Sequence, residues 1–261
     1  MRIISWNVNG IRSMTNKLKT GEKNGSATDN GIQTLIAEYK PDVLCFQEIK
    51  TQHKKDLEFL DFKYIITNVA TKKGYSGVAL LTNIKPEWIS YDMDDNEYMK
   101  EGRIITARFR EVVIVTVYVP NSQDELARVR DRLDWENSIR QYITLLKKEN
   151  TVPIVLIGDL NIAPEEIDIH DPSGKKMTAG FSTVERAEFK KLLEIGFVDS
   201  FRYLHSDIKY TYWSNFHKAR EKNKGWRIDL GLVSDKNRIL AADCLVDFKG
   251  SDHCPILLEL K

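Results

Sequence analysis

The chain has 261 residues, of which 42% are hydrophobic and 10% aromatic, enough to bury one large core in a single domain spanning residues 1–261. This composition excludes a disordered tail and a disulfide-stapled miniprotein. Because 39 basic residues nearly balance 38 acidic ones, with a net charge of +1, binding to a polyanion requires a local basic patch.

The sequence also carries expectations about compartment. Its three cysteines are far apart and lack CxxC spacing, which argues against a disulfide framework and a thiolate zinc site. No signal peptide and no membrane-spanning stretch stands out. We therefore expect a protein of a reducing compartment, cytoplasmic, or nuclear if the source is eukaryotic, with no membrane association.

Short runs rich in β-branched residues predict most of the strands, and apolar residues at helical spacing predict the helices. Strands are predicted over residues 2–8, 42–48, 64–69, 77–82, 103–109, 112–119, 152–159, 210–213, 227–233, 239–246 and 256–260. Helices are predicted over residues 31–40, 125–148 and 183–195, and a surface loop over 13–31. Strands mixed with helices without strict alternation indicate an α/β protein in which two mixed sheets pack face to face with helices outside.

Polar side chains stand at the predicted strand ends, and the rims of sheets are where sites are commonly built. Glu48, Asn9 and Asp252 are hard oxygen ligands that suit Mg²⁺, or Mn²⁺, and not zinc. Asp159, with Asn161 two residues on, could supply a base and an amide that orient a water molecule. For any one of these residues taken alone, a role as a turn former or a satisfied cap is the better explanation.

A second group of strand-end residues could bind a phosphate. His253 needs a carboxylate to fix its tautomer, which Asp229 could supply. Asn7, Tyr118 and Asn121 are neutral donors that could hold phosphate oxygens. The combined set is suited to metal-assisted hydrolysis of a phosphodiester, whereas the serine-hydrolase elbow, the P-loop and the Rossmann fingerprint are absent.

Residues 209–227 form a basic aromatic segment, in which six basic residues and one acidic residue are interleaved with five aromatic residues. Basic side chains neutralise phosphates and aromatic rings stack on bases, so the segment resembles a nucleic-acid footprint. The alternative is a solvated loop over aromatic residues packed in the core, and we expect Trp213 to be one of those.

Seven motifs, in order and nearly end to end, resemble the exonuclease III type of apurinic/apyrimidinic (AP) endonucleases in the endonuclease/exonuclease/phosphatase superfamily. They span residues 5–10, 45–50, 74–78, 118–121, 158–163, 225–229 and 250–255. The resemblance implies a four-layer α/β sandwich and Mg²⁺-dependent cleavage of double-stranded DNA on the 5′ side of an abasic site. It also implies 3′-hydroxyl and 5′-deoxyribose phosphate ends, and some 3′-phosphodiesterase or 3′→5′ exonuclease activity. We expect a monomer.

The resemblance implies roles for individual residues. Glu48 would be the main metal ligand, and the other residues close to the metal would be Asn9, Asp252, Asp159, Asn161 and His253. The residues acting on water and phosphate would be Asp159, Asn161, His253, Asp229, Tyr118 and Asn7. A pocket for the flipped-out abasic sugar would be built by Tyr212, Trp226 and Ile228. The remaining predicted DNA contacts are Phe216, Tyr75, Lys50, Arg12, Asn121 and Arg220.

One departure concerns Gln123-Asp124-Glu125, which stand where the family often has a basic residue. This difference should either weaken the binding of the product or shift the task to Arg128 or Arg130. Two alternatives remain open at the level of sequence. One is a damage-independent nuclease or a small-phosphate phosphatase of the same superfamily. The other is a DNA-binding protein that has lost catalysis.

Overall fold

The computed structural model describes residues 1–19, 31–93 and 100–261. Its strands are β1 (Arg2–Asn7), β2 (Val43–Gln47), β3 (Tyr64–Asn68), β4 (Val78–Thr82), β5 (Trp88–Ser90), β6 (Ile104–Phe109), β7 (Val112–Tyr118), β8 (Ile154–Asp159), β9 (Val198–Asp199), β10 (Asp229–Val233), β11 (Ile239–Cys244) and β12 (Ile256–Leu260). The helices are α1 (Ile11–Lys19), α2 (Ile32–Tyr39), α3 (Val129–Glu149), α4 (Thr183–Glu194) and α5 (Ser200–Leu204).

The strands form two six-stranded sheets, with orders β11-β12-β1-β2-β4-β3 and β5-β6-β7-β8-β10-β9. Each sheet is mixed, because β1 pairs with β2 and β7 pairs with β8 in parallel while the other pairs are antiparallel. The predicted fold class is therefore confirmed.

Side-chain alternation along the strands separates the layers. On β7, Ile114 belongs to the core between the two sheets, whereas Val113 and Val115 pack on the outer side together with Trp135 and Ile139 of α3. On the first sheet, Ile4 and Trp6 lie in an outer cluster with Ile11 of α1 and Leu35 of α2. Helices thus cover both outer faces, which gives the four predicted layers.

Strand direction brings the site residues to one rim. β1 and β2 run in parallel and place Asn7 opposite Gln47. β7 and β8 likewise place Tyr118 opposite Asp159, and antiparallel β10 begins at Asp229, also opposite Asp159. The ends of both sheets therefore meet along a single edge.

One glycine allows the close approach of these strands. Gly158 lies on β8 with a φ of +149°, and a Cβ there would stand 2.0 Å from the Val117 carbonyl oxygen of β7. Any larger residue would push the two strands apart directly beside Asp159.

Two predicted elements differ in the structure. The predicted loop over residues 13–31 is wrong for its first part, because α1 continues to Lys19 and buries Ile11 and Met14 one turn apart. Residues 20–30 lie outside the described part of the chain. Residues 210–213 were predicted as a strand, yet only Tyr212 forms isolated bridges, to Trp226 and His253.

The remaining differences are short or shifted elements. The predicted helix over residues 125–148 is α3, and a 3₁₀ turn at Asp124–Leu126 precedes it. The short elements β5, β9 and α5 were not predicted. All three cysteines are buried free thiols. Within the described ranges, none of the helices has the length and apolar character needed to cross a membrane.

Candidate active site

The chain turns sharply just after three strands, and each turn directs a polar side chain into one cleft. Asn9, Glu48 and Asn161 have φ values of 45°, 51° and 49°, in the left-handed region that non-glycine residues rarely adopt. All three line a cleft of about 900 Å³ at the rim of the sheets. Backbone strain of this kind concentrates at functional sites.

A buried amide connects the two sheets at the floor of this cleft. Asn7 is fully buried, and its Nδ2 donates at 2.8 Å to Glu48 Oε1 and at 2.8 Å to Asp159 Oδ2. Its Oδ1 accepts from the backbone N–H of Asn9 at 3.0 Å. One side chain therefore fixes two carboxylates from opposite sheets.

Asp159 is held in a low-dielectric environment. Its Oδ1 accepts from the backbone N–H of Asn161 at 2.9 Å, and 1% of the residue is exposed. Burial, and then the negative charge of Asp229, raise the pKa of Asp159. Asn161 is itself oriented, because its side chain donates to the Val119 carbonyl and accepts from Asn121 Nδ2. The carboxylate is thus poised to take up a proton.

His253 and Asp229 form a buried pair. His253 Nδ1 lies 2.8 Å from Asp229 Oδ2, and His253 Nε2 lies 3.9 Å from Asp159 Oδ2. Burial alone would lower the pKa of His253, but the charge of Asp229 and the hydrogen bond to it raise it to about 10. The imidazole is therefore protonated at neutral pH and presents a charged Nε2–H to the cleft.

We expect Asp229→Asn to return the imidazole of His253 to titration near neutral pH, because the variant loses the charge that raises the pKa. In ¹⁵N NMR of the metal-free protein, the Nε2 signal of the unsubstituted chain should remain that of an imidazolium up to about pH 9. The remaining histidines serve as internal references. A titration midpoint unchanged by the substitution would contradict the assigned pairing.

The cleft contains groups that could hold a metal ion. Ligand atoms of Glu48, Asp159 and His253 all lie within 4.8 Å of one another, and because a protonated imidazole has no free nitrogen lone pair, the two carboxylates are the groups of this set that could bind the ion. A cation already contacts this group, since Lys50 Nζ lies 2.7 Å from Glu48 Oε2. Burial raises the pKa of Glu48, but the Lys50 charge and hydrogen bonds outweigh it and lower the pKa overall. Ionised, oxygen-rich donors of this kind fit a hard divalent cation.

Asn9 and Asp252 lie beside this metal-binding group. Asn9 Nδ2 donates to Asp252 Oδ1 at 3.0 Å, and Asn9 Oδ1 accepts from Lys50 Nζ at 2.5 Å. All six predicted metal-site residues therefore line the same cleft.

An apolar wall borders the polar floor. Tyr212, Trp226 and Ile228 line the same cleft, and the Tyr212 ring lies 4.9 Å from the ring of His253. Phe181 packs edge-on against Trp226, with ring centroids 6.5 Å apart. The three predicted pocket residues are thus adjacent to the His253–Asp229 pair.

Sequence reasoning missed two buried arginines that support the site. Arg103 donates to the Tyr118 carbonyl and to Tyr75 Oη, each at 3.0 Å, and lies over the Tyr118 ring. Burial, with the nearby Glu48, raises the pKa of Tyr118 well above its usual value, so its hydroxyl keeps its proton.

Arg132 is the second missed arginine. It is fully buried and donates to the carbonyls of Pro120 and Leu160, each at 2.9 Å, and to Glu136. It thereby holds together the two segments that carry Asn121 and Asn161. The feature of the sequence that could have identified Arg132 is its position as a charged residue within the apolar stripe of α3.

The basic aromatic segment is only partly available to DNA. Arg220 was predicted to contact DNA, but its guanidinium donates to the carbonyls of Ser251, Val246 and Phe248 and lies over Trp213. This is a structural role, because main-chain oxygens take up its donors. Trp213 is buried, as predicted.

Other members of the segment divide between core and surface. Arg227 is buried and ion-paired with Asp168 and Asp199, so it too is structural. Phe216 is 75% exposed, and Lys218, Lys222 and Lys224 are exposed as well. The positive charge of this segment that could contact a phosphate backbone therefore comes from these three lysines.

Of the remaining predicted DNA contacts, Lys50 and Asn121 line the cleft, and Arg12 and Tyr75 are not among its lining residues. Arg12 is exposed on α1, 3.7 Å from Asp56, and Tyr75 is flanked by Lys72 and Arg103. The acidic segment Gln123-Asp124-Glu125 lines the cleft. Arg128, a suggested substitute for the family's basic residue, pairs with Asp131 at 3.0 Å.

Comparisons with known proteins agree with this geometry. Residues 4–253 match the endonuclease/exonuclease/phosphatase family. The chain is 40% identical to an exodeoxyribonuclease of Bacillus subtilis, covering 99% of this chain and 98% of the relative. It is 39% identical to the DNA repair nuclease APEX1 of Danio rerio, covering 100% of this chain and 82% of the relative.

Solved structures give the same result. An AP endonuclease from Archaeoglobus fulgidus superposes with a TM-score of 0.83 at 28% identity, covering 100% of this chain and 99% of that chain. An AP endonuclease from Leishmania major superposes with a TM-score of 0.84 at 25% identity, covering 100% of this chain and 87% of that chain. The resemblance carried by the seven motifs is confirmed: the chain belongs to the endonuclease/exonuclease/phosphatase family.

Proposed function

We propose that this protein is a base excision repair AP endonuclease. It would hydrolyse the phosphodiester 5′ to an abasic site in double-stranded DNA with the help of Mg²⁺, and would also act on damaged 3′ ends. The observation that carries this proposal is the apolar wall of Tyr212, Trp226 and Ile228 directly beside the His253–Asp229 pair and Asp159. A sugar on that wall would place its 5′ phosphate among the polar groups.

In the proposed reaction Asp159 takes a proton from the attacking water, whose oxygen bonds to phosphorus. The raised pKa of Asp159 favours this role, because a base works best when its pKa is near the working pH. The bond between phosphorus and the upstream 3′ oxygen breaks, and that oxygen takes a proton from solvent water and leaves as a 3′-hydroxyl. Asn161, which donates its backbone N–H to Asp159, keeps the carboxylate in place.

Negative charge develops on the phosphoryl oxygens during attack, and two donors of the cleft could stabilise it. The imidazolium of His253 is oriented by Asp229, and Tyr118 keeps its hydroxyl proton. Asn7 donates both N–H groups of its amide to Glu48 and Asp159, and so holds those carboxylates in place. A divalent ion held by Glu48, with Asn9, Asp252 and the groups around Asp159, would supply Lewis-acid stabilisation of the same charge. Mn²⁺ could replace Mg²⁺ in this donor set.

Selectivity for abasic sites would be steric. An enzyme that acts on a nucleotide within a duplex must extrude it, and an abasic nucleotide costs least because no base pair holds it. A wall of two aromatic rings and one isoleucine would admit a bare deoxyribose and would exclude a sugar that still carries its base.

We expect Trp226→Ser to lower the preference for abasic over undamaged duplex at least ~10-fold, since removing a bulky wall residue relaxes a steric filter. Competition between the two substrates in one reaction measures the preference. Trp88→Ser on the edge strand β5 is the matched control, because Trp88 lies on the surface. A folded Trp226→Ser protein with the full preference would place selectivity elsewhere.

A panel of substrates tests the proposed function against its alternatives. The panel contains duplex with one tetrahydrofuran abasic analogue, undamaged duplex, a 3′-phosphate end and a sugar phosphate. Fast incision at the analogue supports an AP endonuclease. Equal rates on undamaged duplex indicate a damage-independent nuclease, turnover of the sugar phosphate alone indicates a phosphatase, and binding without turnover indicates a protein that has lost catalysis.

A further inference from the structure

The side chain of Lys50 reaches into the residues proposed to hold the metal. Its Nζ lies 2.7 Å from Glu48 Oε2 and 2.5 Å from Asn9 Oδ1. Hard divalent cations bind carboxylate and amide oxygens at roughly 2.0–2.6 Å. The ammonium therefore lies close to where a divalent ion sharing these two oxygens would have to lie.

The surroundings of this ammonium are strongly negative. Asp159 is buried, with a carboxylate oxygen within 4.8 Å of one of Glu48, and Asp252 is joined to Asn9 by a hydrogen bond. Asn7 donates to one oxygen of Glu48, and Lys50 contacts the other. Lys50 thus compensates a carboxylate that would otherwise lie partly buried among like charges.

The Lys50 side chain can leave while its backbone stays. The backbone N–H of Lys50 donates to the Ser76 carbonyl at 3.0 Å, which anchors the main chain. The side chain, in contrast, is 31% exposed and lines the open cleft. Rotation about its four-carbon stem moves the ammonium several ångströms without disturbing the sheet.

We infer that Lys50 is a built-in counter-cation of the metal site. Its ammonium occupies the position between Glu48 and Asn9 before a divalent ion binds, and is displaced into the cleft when the ion binds. This inference rests on the metal-dependent hydrolysis proposed above. Two cations held at the same oxygens repel each other, so Lys50 weakens divalent binding. Once displaced, its ammonium becomes available to a DNA phosphate, as the sequence resemblance suggested for this position.

Titration calorimetry of the DNA-free protein with Mn²⁺ tests the inference. Lys50→Gln should bind Mn²⁺ at least ~5-fold more tightly than the unsubstituted protein, the scale of a charge interaction at a partly exposed site. Lys50→Arg keeps the charge and should keep the weaker affinity. Lys54→Gln makes the same change of net charge at an exposed neighbouring position and should leave affinity unchanged. Equal or weaker binding by Lys50→Gln overturns the inference.

Thermal unfolding gives an independent readout. The metal-free Lys50→Gln protein should unfold at a lower temperature, and Mg²⁺ should raise that temperature by more than it does in the unsubstituted protein. Equal Mg²⁺-induced shifts overturn the inference. If the shifts are equal but the unsubstituted protein still cuts abasic DNA with Mg²⁺ and not with chelator, only the role of Lys50 is refuted. The metal-dependent hydrolysis then stands. Absence of divalent binding in both proteins overturns the inference and the metal site together.

Discussion

Replacing Asp159 with asparagine should slow single-turnover incision of abasic duplex at least ~10²-fold, the usual contribution of a general base. The amide cannot accept the proton of the attacking water. Binding of DNA should be almost unchanged, because a base acts mainly in the transition state. Single-turnover rates and equilibrium binding, measured with the same oligonucleotide, separate the two effects.

The Asp159→Asn protein should also remain folded. Asp159 Oδ2 accepts from Asn7 Nδ2 and its Oδ1 accepts from the backbone N–H of Asn161. An amide of the same shape removes the repulsion from Asp229 but can accept only one of these two hydrogen bonds. The thermal midpoint of the variant should therefore be modestly lower than that of the unsubstituted protein. Asp134→Asn, at an exposed position on α3, is the control for the loss of one carboxylate. A single-turnover rate within a few-fold of the unsubstituted protein would remove Asp159 from the chemical step.

Replacing Glu48 with glutamine should produce a loss that depends on the concentration of metal. The amide oxygen is a weaker ligand than a carboxylate for a hard cation. At low Mg²⁺ we expect incision to fall ~10²-fold or more, as for loss of a directly coordinating group, with partial recovery as Mg²⁺ rises. A titration of the incision rate against Mg²⁺ measures both features.

The matched control is Glu58→Gln, at an exposed position after β2, which should follow the unsubstituted Mg²⁺ curve. Glu48→Gln also removes the ion pair with Lys50, so circular dichroism must first show that the variant is folded. The same fractional loss at every Mg²⁺ concentration would show that Glu48 does not act through the metal.

The layers of the fold could be predicted from sequence because their signal is local. Runs such as residues 112–118 alternate between two apolar faces, and the burial of Val113 and Ile114 in different clusters follows directly from that alternation. The polar residues at the ends of these runs were predicted to lie at the rim of the sheets, since a strand that ends in Asn7 or Asp159 places that residue at the edge of the sheet.

Elements that depend on distant contacts were harder to predict. The start of α1 is stabilised by burial of Ile11 and Met14 in the core, although the residues after them are mostly polar. Residues 210–213 have strand-like composition, but the position of Tyr212 is set by isolated bridges to Trp226 and His253. Neither outcome is encoded in a short window of sequence.

The roles of individual charged side chains were also hard to predict, because they too depend on distant contacts. Counting basic residues assigned Arg220 and Arg227 to a DNA-binding patch, yet backbone carbonyls surround the first and two aspartates the second. Conversely, Arg132 lies within a predicted helix, and a count of basic residues does not indicate that it joins the segments carrying Asn121 and Asn161. Composition alone cannot show which charges have partners.

The most direct test of abasic-site hydrolysis uses a duplex with one tetrahydrofuran analogue and a label on each end of the damaged strand. The proposed function predicts one nick, immediately 5′ to the analogue, with a 3′-hydroxyl and a 5′ sugar phosphate, in Mg²⁺ and not in excess chelator. Mass spectrometry of both fragments identifies the ends. Undiminished cutting in chelator, or cutting of the undamaged duplex at the same rate, would contradict the account.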